Sequence, residues 1–479
     1  MYPISAICIF TSWAWHLSHE GAGVAFRIDA LRSTTDQTSG RHDGTRQEDT
    51  HMTKKRIGLF PHMGYLSETS RMVAAYKALR AMGEEPLVAT HGGTYEWVLE
   101  QEGIGYEVIE PRMSDERCRA FVKANRVDGQ AGRFYETDEL ESIVRHEIDF
   151  MRSNDVGVAL TGFNLSLGLS ARKAGARYCV THLASWSPVV FERQMQTPYN
   201  YLTERVPSFI PRTWLRRLVN WIYLNSKIMT KPFRVVADRL DIEPIHSTMD
   251  MFMGDVTIVT EAPEILGITR EDLESWVPRK PGLYHDTPRL RYAGPMYAKL
   301  FGEVPEEVER FLEADGPTIY VALTSTREDY LRDLVGALLD LDARLLVVST
   351  VHDLRIEHDR LLLAKHLPSH LVMPMVDLAV IHGGQGSVQT AVASGTPIVG
   401  FPLQTEQMFN LELVQQHGAG LNLPLQRLGR PHDVRDAVRT VLDDRAFTAN
   451  MRRLQKIQAG YDGPREVARI LLEEADALL

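Results

Sequence analysis

From Ile57 onward, short apolar runs alternate with stretches whose apolar residues recur every three or four positions, the periods of strand and helix. Ile57–Phe60 reads as a strand, and Met72, Ala75, Tyr76 and Leu79 mark one face of a following helix that Gly83 closes. Pro86–Ala89 is the next strand, Gly92-Gly93-Thr94 opens a helix carrying Tyr95, Val98 and Leu99, and Tyr106–Ile109 is a third strand. This βαβαβ order predicts a doubly wound parallel sheet, which binds ligands beyond the carboxyl ends of its strands. The alternation continues through a helix at Asp138–Met151, a strand at Val156–Leu160, a helix at Leu165–Ala174, a strand at Tyr178–Thr181 and a strand within Phe252–Thr260. Pro305–Gly316 is polar and acidic and reads as a linker. A second sheet then starts with Thr318–Leu323 and Arg344–Ser349.

The most informative stretch is Leu378–Leu423. Leu378–Ile381 suits a buried parallel strand. It runs into His382-Gly383-Gly384-Gln385-Gly386-Ser387, after which Val388, Ala391 and Val392 recur at helical spacing. A strand, a glycine-rich turn and a helix start form an anion site, because free backbone N–H groups and the helix dipole point at the same place. The Ser387 hydroxyl can cap the helix and bond the anion. Ser394-Gly395-Thr396-Pro397 ends the helix, Ile398–Phe401 is another strand, and Glu406, Gln407 and Asn410 open a further helix near the same crevice. A glycine-rich turn alone often has a purely structural reason.

The whole pattern resembles the donor-binding signature of family 1 glycosyltransferases, especially the bacterial natural-product enzymes. The resemblance implies a GT-B fold: α/β, two doubly wound Rossmann-like domains facing across a crevice. It implies a nucleotide-diphosphate sugar donor, with His382, Gly383, Gly384, Gly386 and Ser387 at the diphosphate and Glu406 and Gln407 on the sugar hydroxyls. Thr324-Ser325-Thr326 resembles the family's phosphate-side turn without its glycine, which adds Ser325 and Thr326 to the donor set. Pro368 matches the proline of the base-binding turn, and His366 then holds the aromatic place and could stack on the nucleobase or be plain loop surface. Thr390 stands where many members have a ribose-binding Glu, so UDP and dTDP both stay open. No metal or cofactor is implied beyond the donor as co-substrate.

At the acceptor side the resemblance weakens. The family's first turn carries a His that deprotonates the acceptor, held by an Asp after a later strand. Aligned on Gly64, that His is Tyr65 here, and the Asp position falls on Gly162. Three readings follow: His62 in the same turn is the base, the acceptor is already acidic, or the protein binds without turnover. His62 and Tyr65 are therefore the catalytic candidates, with His62 equally readable as a solvent-facing turn histidine. His182 and Trp186 follow a strand end where acceptor contacts belong, although His182 could simply bond backbone. The tract from Glu204 to Arg239 interleaves basic residues with Trp214, Leu215, Leu218, Val219, Trp221, Ile222 and Tyr223. As one basic amphipathic helix it could pack on the domain, wall an apolar acceptor pocket or make weak contact with an anionic membrane surface.

Composition narrows the field. The 479 residues suffice for two domains, and a net charge of −10 argues against a general nucleic-acid binder. Three cysteines at no ligand or disulfide spacing fit a reducing cytoplasm. Residues 1–52 are expected to be a disordered leader with Met52 as the true start. Residues 53–298 would be the acceptor-binding domain, 299–316 the linker and 317–479 the nucleotide-sugar domain. The expected function is inverting transfer of a sugar to a hydrophobic small-molecule acceptor. Its rivals are a non-catalytic accessory protein and a nucleotide-sugar epimerase. Oligomeric state, sugar and acceptor are not readable from the sequence.

Overall fold

The computed structural model describes residues 55–124, 134–198, 209–286, 288–297, 299, 302–323, 326–349 and 352–478. The leader expected over 1–52, the start of the basic tract up to Ser208, and Thr324 and Ser325 lie outside the described residues. Two parallel sheets organise the chain. The first contains β1 (Arg56–Leu59), β2 (Leu87–Thr90), β3 (Glu107–Val108), β4 (Val156–Thr161), β5 (Arg177–His182), β6 (Val256–Val259) and β7 (Arg289–Tyr292), in the order β3-β2-β1-β4-β5-β6-β7. The second contains β8 (Thr318–Ala322), β9 (Arg344–Val348), β10 (Leu361–Ala364), β11 (Leu378–Ile381), β12 (Ile398–Gly400) and β13 (Gly420–Asn422), in the order β10-β9-β8-β11-β12-β13.

Both sheets reverse direction of growth beside their first strand, between β1 and β4 and between β8 and β11. In such sheets the crevice at the reversal lies outside the carboxyl ends of the strands. The turns singled out in the sequence therefore all fall there: Pro61–Tyr65 after β1, Gly162-Phe163 after β4, Thr326 after β8 and His382–Ser387 after β11. The helices that matter below are α1 (Leu66–Ala81), α2 (Thr137–Ser153), α3 (Arg212–Asn225), α4 (Gln385–Ser394), α5 (Thr405–Gln416) and α6 (Gly463–Asp476).

Three elements differ from the sequence reading. The acidic stretch expected as linker holds a helix at Glu306–Glu313, because Val308 and Leu312 are four apart and enter the core of the second sheet. The basic tract is not one helix: α3 stops at Asn225, and a second helix, Lys231–Leu240, begins after a break at Ser226–Thr230. Strand β7, and the second sheet's outer strands β10 and β13, are short enough that periodicity gave no signal.

Helix α6 follows the second sheet in sequence but packs on the first. Val467, Ala468, Ile470 and Leu471 share a core with Ile57, Leu59, Met72 and Val158. Leu471 is fully buried. Leu471→Ala should therefore lower stability by about 2–5 kcal/mol, the range for emptying a buried leucine site. Urea unfolding measures it, and a loss well below that range would show that α6 contributes little to the first core.

Candidate functional site

The donor side is built by the turn after β11. Gly383 takes φ +89, and a Cβ there would stand 2.5 Å from Leu411 Cγ and 2.9 Å from the Gln407 carbonyl, so only glycine lets α5 approach the turn. Gly384 is the N-cap of α4, which puts Gln385, Gly386 and Ser387 in its first turn. Ser387 is thus not the cap that the sequence suggested. Its N–H and that of Gly386 belong to the helix's orphan donors, and Val388 makes the first helical bond, 3.0 Å to Gly384 O. The Gln385 N–H is already taken by Glu406 Oε1 at 3.0 Å, and Asn410 Nδ2 donates to the same oxygen at 2.6 Å. Glu406 is thereby fixed by two donors, and burial raises its pKa to about 7.

His382 points into this turn with Nδ1 buried and unpartnered, and burial holds its pKa below the ordinary value. It is neutral near pH 7 and offers hydrogen bonding, not charge. Thr326 Oγ1 is another buried atom without a partner, and the Thr326 carbonyl accepts from His352 Nε2 at 2.8 Å. An unpartnered polar atom in a turn that opens a helix, as His382 Nδ1 is, fits a polar ligand that completes it. Gln407 is bound otherwise: its Oε1 accepts from Leu403 N–H at 2.8 Å, inside its own loop. His366 is exposed, and its ring meets Trp97 at 6.1 Å between centroids. Trp97, on the first-sheet side, was missed because a single tryptophan on a short helix carries no motif.

Gln385 and Gln389 reach away from the donor. Gln385 Nε2 donates to the Thr260 carbonyl at 3.1 Å and Gln389 Nε2 donates to it at 2.6 Å, while Gln389 Oε1 accepts from Met296 N–H at 3.1 Å. Farther along the crevice Gln196 Nε2 donates to Thr405 O at 3.1 Å, and Tyr223 Oη lies 3.1 Å from Thr405 Oγ1. The two sheets are joined through the same helices that form the donor turn.

On the first-sheet side the place of the missing Asp is filled. Glu68, in the first turn of α1, is fully buried. Its Oε2 accepts from His62 N–H at 2.7 Å, and its Oε1 from Gly162 N–H at 3.0 Å and Phe163 N–H at 3.3 Å. A Cβ on residue 162 would stand 2.6 Å from Glu68 Cγ and 3.0 Å from Arg71 Nη2. Glycine is required there because another residue's side chain occupies the space. Burial raises the Glu68 pKa to about 7 despite the facing Arg71 guanidinium. Arg71 is itself buried, with Nε unpartnered, and faces Glu406 as well as Glu68.

His62 does not stand in the crevice as a ready base. Its ring packs 4.1 Å from that of Phe121, its Nδ1 accepts from Gly64 N–H at 3.1 Å, and burial drops its pKa to about 3. A base that weak takes protons poorly at neutral pH. His182 is likewise structural: Nε2 donates to the Trp186 carbonyl at 3.1 Å, and burial lowers the pKa to about 4. Trp186 belongs to a continuous aromatic wall. Tyr65 meets Phe163 at 5.2 Å, Phe163 stacks on Phe252 at 5.7 Å, Phe252 meets Trp186 at 5.0 Å, and Trp186 meets Tyr223 at 5.4 Å. A cavity of about 580 Å³ bordered by Pro317, Asp377, Pro397 and Arg452 opens at the amino ends of the second sheet, away from these groups. Among the described residues no set of three or more His, Cys, Asp or Glu side chains could hold a metal ion.

Two doubly wound parallel sheets, with a glycine-rich turn opening a helix between them, define a GT-B fold. Comparison agrees. Residues 332–474 match the family described as erythromycin biosynthesis protein CIII-like, C-terminal domain. A PGL/p-HBAD biosynthesis glycosyltransferase of Mycobacterium tuberculosis is 26% identical over 330 residues, covering 68% of this chain and 72% of that protein. The 3-alpha-mycarosylerythronolide B desosaminyl transferase of Saccharopolyspora erythraea is 30% identical over 199 residues, 39% of this chain and 46% of that protein. Among solved structures, the glycosyltransferase VinC in complex with dTDP superposes with a TM-score of 0.61 at 16% identity, over 88% of this chain and 100% of that one. The C-terminal half is thus similar to that family, and the fold of the chain is GT-B.

Two expectations test the acceptor side. Gly162→Asp should destabilise the fold by about 1–3 kcal/mol, the usual cost of overpacking a filled site, because its Cβ collides with Glu68. Thermal unfolding reads this, and an unchanged midpoint would mean that Glu68 moves aside freely. The pH dependence of stability should carry a signature of His62. Its folded pKa of about 3 lies below the ordinary 6.5, so the unfolded chain binds the extra proton between those values and stability falls as pH drops through that window. His62→Phe removes that contribution, so urea titrations at falling pH should show the wild type losing stability faster than the variant. Parallel losses would place the His62 pKa near its ordinary value.

Proposed function

We propose that this protein transfers a sugar, with inversion and without a metal, from a dTDP- or UDP-sugar to an apolar small molecule. The observation that carries the reading is the start of α4, where the Gly386 and Ser387 N–H groups are orphan helix donors in the same turn as the buried, unpartnered His382 Nδ1. Donors fixed before reaction stabilise the charge that builds on a departing diphosphate. Glu406, held by Gln385 N–H and Asn410, presents its carboxylate beside that point and suits a sugar hydroxyl. The aromatic wall from Tyr65 to Tyr223 suits an apolar acceptor on the opposite side. Residues 53–298 and 317–479 would then carry acceptor and donor respectively, with 463–476 packed back on the first sheet.

The acceptor side favours a weakly acidic nucleophile. The family's dyad positions hold Tyr65 and Gly162, and His62 is buried and hard to protonate. The Arg71 guanidinium lies 3.0 Å from the point where a side chain at 162 would start. A cation there steadies a phenolate or carboxylate that arrives ionised, and no strong base is then needed. The accessory-protein alternative retains the donor turn but predicts no turnover with any acceptor.

Ser387→Ala and Glu406→Gln should each slow transfer by about 10- to 1000-fold, the range for losing one charge-stabilising contact. Nucleotide diphosphate binding, read by thermal shift, should persist in Glu406→Gln. With wild type, the rate should rise along the acceptor's own ionisation and be far greater for phenols than for alcohols. Normal transfer by both variants would remove the donor assignment, and equal rates on phenols and alcohols would remove the acidic-acceptor reading.

A further inference from the structure

Helix α3 has two working faces. Inward, Tyr223 stands against Trp186 and reaches Thr405 of α5, at the mouth of the aromatic wall. Outward, Trp214, Leu218 and Trp221 fall at i, i+4 and i+7 on one stripe, 67%, 38% and 47% exposed. Phe209 ahead of the helix and Ile228 behind it extend the stripe, 82% and 61% exposed. Isolated apolar residues on a surface are ordinary, but five bulky ones in one short segment are a patch that calls for a partner.

The charges around the stripe say which partner. Between Phe209 and Ala237 the sequence holds Arg212, Arg216, Arg217, Lys227, Lys231 and Arg234 and no Asp or Glu, within a chain of net charge −10. All six are exposed and none makes an ion pair within 4 Å among the described residues, although Arg216 is near enough to Glu412 to be felt by its carboxylate. Elsewhere on this surface arginines are paired as a rule, as with Arg239 on Asp138 and Glu141. Tryptophans beside unpaired arginines and lysines are the composition of a helix that lies in the plane of a lipid interface. Their rings sit at headgroup depth, and the cations meet anionic phosphates. A protein partner would more commonly demand some acidic residues for specific pairing.

We propose that the outer face of α3, with Phe209 and Ile228, docks this protein on an anionic lipid surface. Because Tyr223 on the same helix borders the wall, docking would set the acceptor entrance against the bilayer. That last step rests on the acceptor reading above, whereas the docking itself does not. An apolar acceptor dissolved in lipid could then enter without crossing water.

The test is co-flotation of the full chain with phosphatidylcholine vesicles, with and without phosphatidylglycerol. Binding should need the anionic lipid and fall steeply with added salt. Trp214→Ser with Trp221→Ser, and separately Arg216→Glu with Arg217→Glu, should each weaken it by about tenfold or more, at unchanged circular dichroism. These readouts need no donor or acceptor, so their failure is distinct from a failure of the transfer reaction. Absence of binding, or equal binding to neutral vesicles, would overturn the proposal. So would self-association in sedimentation that the same substitutions abolish, which would assign the face to a second copy of the chain.

Discussion

One buried carboxylate determines what the acceptor side can be. Glu68 gathers N–H groups from two turns, His62 after β1 and Gly162-Phe163 after β4. Those turns flank the reversal of the first sheet, so their spacing sets the floor of the crevice. Leaving such donors unpaired in a dry interior costs about 1–3 kcal/mol each. The carboxylate also compensates Arg71, which would otherwise be a buried cation alone. The absence of an Asp at 162 is therefore part of an exchange: the carboxylate comes from α1 instead of from the turn. Placing an Asp at 162 needs more than that one substitution, since the space and the N–H donors are already committed.

The donor side shows a related division of labour. Gly386 and Ser387 leave their N–H groups free at the start of α4, while Gln385 and Gln389 on the same helix bind the Thr260 carbonyl at the end of β6. A movement between the sheets must therefore move α4, and with it the anion site.

Much of this was legible. Leu378–Ile381 forms a strand at the residues its apolar run indicated, and the turn after it sits at a helix start as its glycines required. Long βα alternation and a dense local motif are determined by neighbours in sequence, which is why they could be read. The helix at Glu306–Glu313 was hidden because two buried residues among glutamates make a weak period. The role of Glu68 was beyond reach for another reason: two of its partners, Gly162 and Phe163, lie 94 and 95 residues away, and nothing local marks a glutamate in a first helical turn as buried. Gly162 was the readable trace of it, a residue that lacks a side chain because the space is taken. His62 and His182 looked reactive by position, and burial made them structural.

Helix α6 leaves a consequence for how the molecule is made and recombined. The first sheet's core includes residues synthesised only after the second sheet is complete. During translation the first half must wait with Met72, Leu59 and Val158 incompletely covered, a state in which chaperones would find exposed apolar surface. A chimera that joins this first half to another enzyme's second half would inherit a foreign α6 against its core. The natural exchange unit for building hybrid transferases is therefore discontinuous: the first half travels with residues 463–476, and the donor half is the piece inserted between them.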